Sequence, residues 1–295
     1  MIKKFTGTIT AIVTPFLEDG SIDVEALKKL VEFQVKNGVS GIVPCGSTGE
    51  AATMDEEEKK LVIKTVVDQV KKRVPVIAGA GSNDTQKAIK SSQIAKEVGA
   101  DALLHVTPFY NKPTPKGLMA HFKAIASAVD SPIILYNVPG RTGQNVTAET
   151  VLRIAKEVPQ VVGVKEASGN INQMMEIIKG APKNFSVLSG DDALTYPLMT
   201  LGGDGIISVV SNEIPKEMSA LTKAVLEGDF ERARKLHYEW LDLMNINFVE
   251  TNPQPVKTAL ALMGKIREVF RLPLVSMEEK NKAKLTEVLK NHQLI

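Results

Sequence analysis

The chain has 295 residues, of which 43% are hydrophobic and 24% charged, the composition of an ordinary globular protein. Its formal net charge at pH 7 is only +2, which gives no indication of a nucleic-acid partner. No apolar run approaches the roughly 20 residues that cross a membrane, and Cys45 is a lone cysteine that cannot form an internal disulfide, so we expect a cytoplasmic protein with no membrane partner.

Short apolar segments rich in β-branched residues recur from the N-terminus onward and predict strands. The first lies within "MIKKFTGTITAIVTPF", where threonine and proline interrupt the apolar run and argue against a signal peptide. Together these segments predict eight strands, at 8–16, 41–46, 75–81, 101–108, 132–138, 161–167, 185–190 and 205–210.

Amphipathic segments follow the predicted strands and have the apolar spacing of helices. Apolar residues recur at i, i+3, i+4 and i+7 in 24–38, 56–73 and 147–158. From about residue 215 the strand pattern stops. The segments 215–250 and 253–264 predict a last barrel helix and further C-terminal helices.

The alternation of strands and helices predicts an α/β protein with a parallel sheet covered by helices. Eight such units favour a (β/α)8 TIM barrel; a doubly wound open sheet is the main alternative, but no G-x-G-x-x-G motif follows the first strand. The predicted organisation is a barrel core over 1–214, with its eighth helix continuing to about 228. A helical extension over 229–295 is predicted to pack on the barrel.

Barrel enzymes carry their chemistry at the C-terminal ends of the strands, and polar side chains stand at these ends here. Lys165 ends the sixth predicted strand, and Gly163, two residues earlier, is predicted to leave room beneath it. Such a lysine is often a surface residue with its amine in water. In a dehydrated barrel mouth, however, the amine loses its charge easily and can form a Schiff base with a carbonyl compound. Tyr136, at the end of the fifth strand, is either a packed aromatic or a proton donor for that chemistry.

The segment "GSTGE", residues 46–50, has two interpretations. Ser47 and Glu50 have the spacing of a helix capping box, as do Thr53 and Glu56. Alternatively, the glycine-rich turn exposes backbone N–H groups that suit a small carboxylate. Arg141, after the fifth strand, is either solvated or able to bind a second carboxylate. The four histidines show no ligand spacing, so no metal is expected.

Taken together, the motifs resemble a known family. "AIVTPF", "GSTGE", "TPFYNKPT", "YNVPGRTG", "GVKEASGN" and "FVETNPQPVK" follow one another as in the pyruvate-dependent class I aldolases of the dihydrodipicolinate synthase and N-acetylneuraminate lyase superfamily. The resemblance covers nearly the whole chain. "TPFYNKP" and "YNVPGRTG" resemble the synthase branch, which implies a Schiff-base aldol condensation of pyruvate with L-aspartate 4-semialdehyde, followed by cyclisation, in lysine and diaminopimelate biosynthesis.

The resemblance implies a role for each catalytic residue. Lys165 would form the imine with pyruvate, with no cofactor beyond this covalent bond, and Tyr136 would transfer protons. Ser47 would belong to the proton relay. Tyr110 matches a tyrosine that the family lends across a subunit interface, which implies a homo-oligomer, at least a dimer and commonly a tetramer built as a dimer of dimers.

The resemblance also implies the substrate-binding residues. Thr48 would hold the carboxylate of pyruvate, and Arg141 would bind the carboxylate of the semialdehyde. Gly190 and Ile207 match positions that line the pyruvate pocket.

One departure from the synthase branch keeps an alternative open. Ser47 stands where the synthases usually have threonine, and "GSTGE" is more usual in the lyases. The alternative is therefore an N-acetylneuraminate lyase or a 2-keto-3-deoxy sugar-acid aldolase. Tyr110 and Arg141 suit a small anionic aldehyde better than a sugar. A second alternative is a module that binds a keto acid without turning it over.

A second departure concerns feedback regulation. Synthases that L-lysine inhibits resemble one another in carrying two histidines and a glutamate at the lysine site. The matching positions here hold Glu56, Lys59 and Lys87, and Phe109 replaces a frequent tyrosine. Since a cation at residue 87 repels the ammonium group of an amino acid, we expect weak or absent inhibition by L-lysine.

Overall fold

The computed structural model describes residues 4–295 and contains all eight predicted strands. They are β1 Gly7–Ala11, β2 Gly41–Val43, β3 Ile77–Gly79, β4 Ala102–Val106, β5 Ile133–Asn137, β6 Val161–Glu166, β7 Ser186–Ser189 and β8 Gly205–Ser208. The helices are α1 Val24–Lys36, α2 Glu56–Val70, α3 Thr85–Glu97, α4 Pro115–Ala128, α5 Pro139–Thr142, α6 Ala148–Glu157, α7 Ile171–Gly180, α8 Thr195–Thr200, α9 Pro215–Leu226, α10 Phe230–Glu239, α11 Leu241–Ile246, α12 Gln254–Leu262 and α13 Glu279–Asn291.

The eight strands form one parallel sheet that curls into a barrel. Their spatial order is β2-β1-β8-β7-β6-β5-β4-β3, so each strand lies beside its neighbour in sequence. The ring closes between β2 and β3 through a bridge of Ile42 with Val76 and a hydrogen bond from Gly79 N–H to Pro44 O of 2.9 Å. The predicted (β/α)8 barrel is confirmed, and the doubly wound alternative is excluded because its strand order would reverse.

The strands are shorter than predicted at their C-terminal ends. The first was predicted to reach residue 16, but β1 ends at Ala11. Beyond Ala11 the chain forms hydrogen bonds to segments at the barrel rim. The N–H of Val13, for example, donates to Asn212 Oδ1 at 3.1 Å. Apolar character alone does not separate a strand from a buried rim segment.

The barrel interior is a packed core. Alternate residues of the strands meet there in one apolar cluster that includes Ile9, Ile77, Ile134 and Leu188, all fully buried. Tyr136 belongs to the same cluster. Since the interior below is filled, substrates can reach only the open end where the strands terminate.

Helices α10 to α13 follow the barrel and share a second apolar cluster with α9. Met218 of α9 lies in this cluster together with Trp240, Leu243 and Leu285 of the later elements. The predicted boundary at 228–229 falls in the turn between α9 and α10, where Gly228 has φ of 80°; as a domain boundary it stays a prediction. None of the helices within residues 4–295 has the length and apolar character needed to span a bilayer.

Two histidines are buried between the barrel and its helices. His105 of β4 contacts Ser92 Oγ through Nε2 at 3.1 Å, and His121 of α4 contacts Thr85 Oγ1 through Nδ1 at 2.9 Å. Phe122 packs edge-on against both rings. Burial lowers the pKa of His105 to about 3 and that of His121 to about 4. Both rings are therefore neutral in the folded protein at moderately acidic pH.

These histidines should make the fold sensitive to acid. Both pKa values are lower in the folded chain than the usual 6.5 of an unfolded chain, so the unfolded state binds protons first as pH falls below 6.5. The stability lost between about pH 7.5 and pH 5 is about 2 kcal/mol per histidine. His105→Leu should lose less stability over this range than the wild type, measured by denaturant unfolding at both pH values. Equal losses in the two proteins would contradict the prediction.

Candidate active site

Lys165 lies at the open end of the barrel, on β6, and its side chain is only 5% exposed. In the sheet it is level with Tyr136 of β5 and Leu188 of β7. Its Nζ lies 4.3 Å from the centroid of the Tyr136 ring. The lysine predicted from its place at a strand end is therefore inside the barrel mouth and beside the predicted proton donor.

The Lys165 amine has an unusual electrostatic environment. Burial lowers its pKa to about 7, the nearby charge of Asp192 opposes this shift, and Arg141 adds to it. The other deeply buried lysine, Lys257, forms an ion pair with Glu50, whereas no carboxylate of residues 4–295 lies within 4.0 Å of Lys165 Nζ. With a pKa of about 7, about half of the Lys165 amines are neutral and nucleophilic at neutral pH.

The Tyr136 hydroxyl remains protonated at neutral pH. Burial raises its pKa to about 12, although the positive charge of Arg141 acts in the opposite direction. A phenol beside an amine can pass a proton to or from the reacting atoms. The geometry thus brings together an amine that can act as a nucleophile and a phenol that can donate a proton.

Gly190 rather than Gly163 makes the space that Lys165 occupies. A Cβ atom on Gly190 would lie 3.1 Å from Lys165 Cε and 2.6 Å from Ala167 Cβ. A Cβ atom on Gly163 would instead meet the backbone oxygen of Ser186 at 2.8 Å. The prediction that Gly163 leaves room for the lysine was wrong, because its missing side chain lets β6 and β7 approach each other.

The segment 46–50, which we call the GSTGE turn, follows β2 and carries Ser47 and Thr48. Ser47 is exposed, whereas Thr48 is 3% exposed and its Oγ1 accepts a hydrogen bond of 3.0 Å from Asn252 Nδ2. Neither capping box predicted here forms. Helix α2 is capped by Asp55 instead. The Asp55 side chain accepts a hydrogen bond from Glu58 N–H, and the Glu58 side chain accepts one from Asp55 N–H.

Arg141 lies in the short helix α5, directly after β5. It is exposed, and its Nη2 donates to Asn252 O at 2.9 Å. Its charge lowers the pKa of both Lys165 and Tyr136, so the guanidinium lies close to the mouth. Asn252 therefore contacts both Thr48 and Arg141 and connects the two predicted carboxylate-binding groups.

The other two predicted pocket residues are in the barrel wall. Ile207 of β8 is fully buried in the same apolar cluster as Tyr136. Gly190 directly follows β7, and its N–H donates to Glu166 O at 2.8 Å. Tyr110, in contrast, is 90% exposed and has φ of 67°, so its ring projects into solvent instead of packing within the barrel.

Comparison with known proteins shows which family this barrel and its site resemble. Residues 4–292 match the model of the dihydrodipicolinate synthetase family. A 4-hydroxy-tetrahydrodipicolinate synthase of Maridesulfovibrio salexigens is 55% identical over 99% of each chain. The crystal structure of dihydrodipicolinate synthase from Aquifex aeolicus superimposes with a TM-score of 0.96 at 49% identity, covering 98% of this chain and 99% of that one. A chloride-inhibited dihydrodipicolinate synthase from Acinetobacter baumannii, complexed with pyruvate, is 46% identical with a TM-score of 0.96, covering 99% of this chain and 100% of that one.

The chain belongs to the dihydrodipicolinate synthetase family. The resemblance inferred from the motifs is confirmed, and with it the predicted function. The chain is an enzyme, a lyase-type aldolase with 4-hydroxy-tetrahydrodipicolinate synthase activity in lysine biosynthesis. Enzymes of this family need no external cofactor. The departure at Ser47 is therefore compatible with the synthase branch.

Two residues that the sequence analysis did not single out act on the site. Asn252 bonds to Thr48 and Arg141, and the charge of Asp192 affects the pKa of Lys165. Asn252 lies in "FVETNPQPVK", a segment assigned to the C-terminal region with no chemical role. Asp192 lies in "SGDD" and is fully buried, with Oδ2 accepting from the N–H groups of Val209 and Val210 at 3.0 Å. Burial raises the pKa of Asp192 to about 6. An acidic pair after a strand was the available signal for Asp192, whereas nothing local distinguished Asn252.

Proposed function

We propose that the chain condenses pyruvate with L-aspartate 4-semialdehyde through an imine on Lys165 and then cyclises the product. The observation that carries this proposal is the buried Lys165 amine, which has no carboxylate of residues 4–295 within 4.0 Å and lies over the ring of Tyr136. A lysine placed in this way has lost solvation without gaining an ion pair, which favours its neutral, nucleophilic form. The pyruvate complex of the Acinetobacter baumannii relative supports pyruvate as the first substrate.

The first half of the reaction forms the enamine. The neutral Lys165 amine attacks the ketone carbon of pyruvate, and the hydroxyl of the resulting carbinolamine leaves as water once it receives a proton. Tyr136 is the proton donor, and Ser47 and a Tyr110 from a second copy of the chain extend the relay toward solvent. Loss of a proton from the methyl group then gives the enamine. Because the phenol of Tyr136 has a pKa of about 12, it holds its proton until the leaving hydroxyl needs it.

The second half joins the two substrates. Thr48 and the backbone N–H groups of the GSTGE turn bind the carboxylate of pyruvate, and Gly190 and Ile207 line its pocket. Arg141 binds the carboxylate of the semialdehyde, and the enamine carbon forms a bond to the aldehyde carbon. The aldehyde oxygen takes a proton from the relay that begins at Tyr136 and becomes a hydroxyl, while the imine forms again on Lys165. The amino group of the semialdehyde part then attacks the imine carbon and displaces the Lys165 amine. This closes the ring and frees the enzyme.

The assembly that completes the site is a homo-oligomer. Tyr110 is 90% exposed, and its φ of 67° is unusual for a tyrosine. Such strain persists where the surrounding structure enforces it and is common at functional sites. These features support insertion of Tyr110 into the site of a second copy, hence at least a dimer, and a tetramer built as a dimer of dimers. Sedimentation equilibrium of the purified chain tests this, and a monomer that is fully active would contradict it.

The proposed location of the enzyme is the cytoplasm, without a nucleic-acid or membrane partner. Its full-length relatives are bacterial biosynthetic enzymes. Fractionation of cells that express the chain tests the location, and recovery of the activity with the membranes would contradict it.

The reaction is tested by measuring pyruvate consumption with L-aspartate 4-semialdehyde and, in parallel, with N-acetylmannosamine. Consumption that depends on the semialdehyde supports the proposal and shows that serine at residue 47 suffices for the relay. Consumption that depends on the amino sugar would assign the chain to the lyase branch and contradict the role of Arg141.

Feedback by L-lysine should be weak or absent. Glu56 and Lys59 of α2 line a small cleft toward Ser91 of α3, and Glu56 forms an ion pair with Lys90. Lys87, in the first turn of α3, adds a further cation near this region, which repels the effector's ammonium group. Initial rates at millimolar L-lysine should match those without it, whereas Lys87→Glu should gain sensitivity. Strong inhibition of the wild type would contradict this prediction.

A further inference from the structure

The C-terminal segment contributes a fully buried cation next to the active site. Lys257 of α12 forms an ion pair with Glu50 of the GSTGE turn, with side-chain exposures of 0% and 1%. The Lys257 ammonium also lies over the rings of Phe16 and Phe270, 4.4 and 5.1 Å from their centroids. The pair joins residues 207 positions apart in the chain, so it fixes the C-terminal segment to the loop that follows β2.

The GSTGE turn needs an external constraint because its backbone is strained. Glu50 has φ of 54° and Cys45, just before the turn, has φ of 56°, a left-handed conformation that costs non-glycine residues about 1 kcal/mol or more. Gly49 is closely packed against backbone, since a Cβ atom there would lie only 3.2 Å from Ile12 O. A loop in such a conformation keeps its shape only where its surroundings hold it.

Further contacts from the same segment hold the turn. The N–H of Arg271 donates to the second carboxylate oxygen of Glu50 at 3.2 Å, and its guanidinium donates to Gly20 O and Thr53 O. Asn252 donates to Thr48 Oγ1. Glu50 therefore receives hydrogen bonds on both oxygens, and residues 252–271 hold the turn at both Thr48 and Glu50.

Stability alone is a poor explanation for a charge pair in this place. The cost of removing two charges from water usually offsets their attraction, and apolar residues of similar size often stabilise a protein as well or better. An ion pair with defined hydrogen bonds does fix the position of a loop more closely than apolar contact, which has no preferred direction. A group that binds substrate benefits from such placement.

We propose that Glu50 and Lys257 are positioning residues: their ion pair holds the GSTGE turn so that Thr48 meets the carboxylate of the keto-acid substrate. Neither side chain touches the substrate. This inference rests on the proposed role of Thr48 and assigns a function to the "NPQPVK" segment. Loss of the pair leaves Lys165 and Tyr136 in place, since both lie on other strands, and shifts only the carboxylate-binding turn.

The experiment compares Glu50→Gln, the double variant Glu50→Gln with Lys257→Met, and Lys282→Met as a matched control. Lys282 forms an ion pair with Glu268 in the same C-terminal region. For each protein the melting temperature, kcat and the KM for pyruvate are measured. The double variant leaves no unpaired buried charge, so it should recover the stability that a single charge removal loses. Its KM for pyruvate should still rise about tenfold, with kcat changed much less, because one misplaced donor weakens binding by about that factor.

The KM values test the positioning role of the Glu50–Lys257 pair and the substrate-binding role of Thr48 separately. A double variant with a wild-type KM for pyruvate overturns the positioning role, as does an equal rise in KM in Lys282→Met. If the double variant is too unstable to assay, Glu50→Asp, which keeps both charges of the pair but shortens the carboxylate side chain by one methylene group, decides by the same readout. Thr48→Val is measured alongside: a raised KM for pyruvate confirms the role of Thr48, and an unchanged KM refutes that role whatever the pair variants show.

Discussion

Replacing Lys165 with methionine should abolish turnover and at the same time raise the melting temperature. The amine is the proposed nucleophile, so activity should fall at least about 10³-fold. The folded protein also keeps this amine buried with its pKa lowered to about 7 by desolvation, and no carboxylate in the described part of the chain pairs with it. In the unfolded chain this lysine is solvated and keeps its usual pKa. Burying it therefore lowers the free energy of unfolding by an amount on the order of a few kcal/mol. A methionine of similar shape removes the cost, and the melting temperature should rise on the order of a few degrees.

The measurements are a calorimetric melting temperature, the rate of pyruvate consumption, and mass spectrometry after treatment with pyruvate and borohydride. The wild type should gain one pyruvate-derived adduct on Lys165, and Lys165→Met should gain none. Lys179→Met is the matched control, because Lys179 is exposed in the last turn of α7, the helix that follows β6. An adduct on the Lys165→Met protein would place the nucleophile elsewhere, and a lowered melting temperature would refute the unpaired-amine interpretation.

Replacing Tyr136 with phenylalanine should slow turnover about 10²-fold while leaving the fold intact. The ring remains to pack beside Lys165 Nζ, at 4.3 Å in the wild type, but the phenol that donates the proton is gone. None of the side-chain hydrogen bonds within residues 4–295 engages this hydroxyl, so its removal should change the melting temperature little. Borohydride should still trap pyruvate on Lys165, more slowly, because the amine itself is retained.

Turnover of the Tyr136→Phe protein is compared with that of Tyr238→Phe, which removes an exposed hydroxyl from α10. The control should behave as the wild type. If Tyr136→Phe retained full kcat, another group would have to donate the proton, and the relay would need to start at Ser47. A complete loss of trapping in Tyr136→Phe, which keeps the ring, would instead mean that imine formation on Lys165 already requires the hydroxyl.

The fold class and the two residues at the centre of the site, Lys165 and Tyr136, could be predicted from the sequence. Periodicity and β-branched composition depend only on residues near one another in the chain, and they placed all eight strands in the correct order. The parallel barrel rule then put Lys165 and Tyr136 at the same end, because side chains at matching strand ends share one rim. Tyr136 and Lys165 are indeed level on adjacent strands.

The surroundings of that pair could not be predicted, because they depend on contacts that form only in the folded chain. Asn252 reaches Thr48 across 204 positions and Lys257 reaches Glu50 across 207, and no local pattern encodes contacts between such distant segments. The exposure of Ser47 and the burial of Thr48 depend on how the GSTGE turn packs against the C-terminal segment that contains Asn252. The lowered pKa of Lys165 likewise depends on desolvation by neighbours from several strands and on the distant charges of Asp192 and Arg141. The strands follow from short-range chemistry, whereas the geometry and charge of the site exist only after the barrel has closed and the C-terminal helices have packed on it.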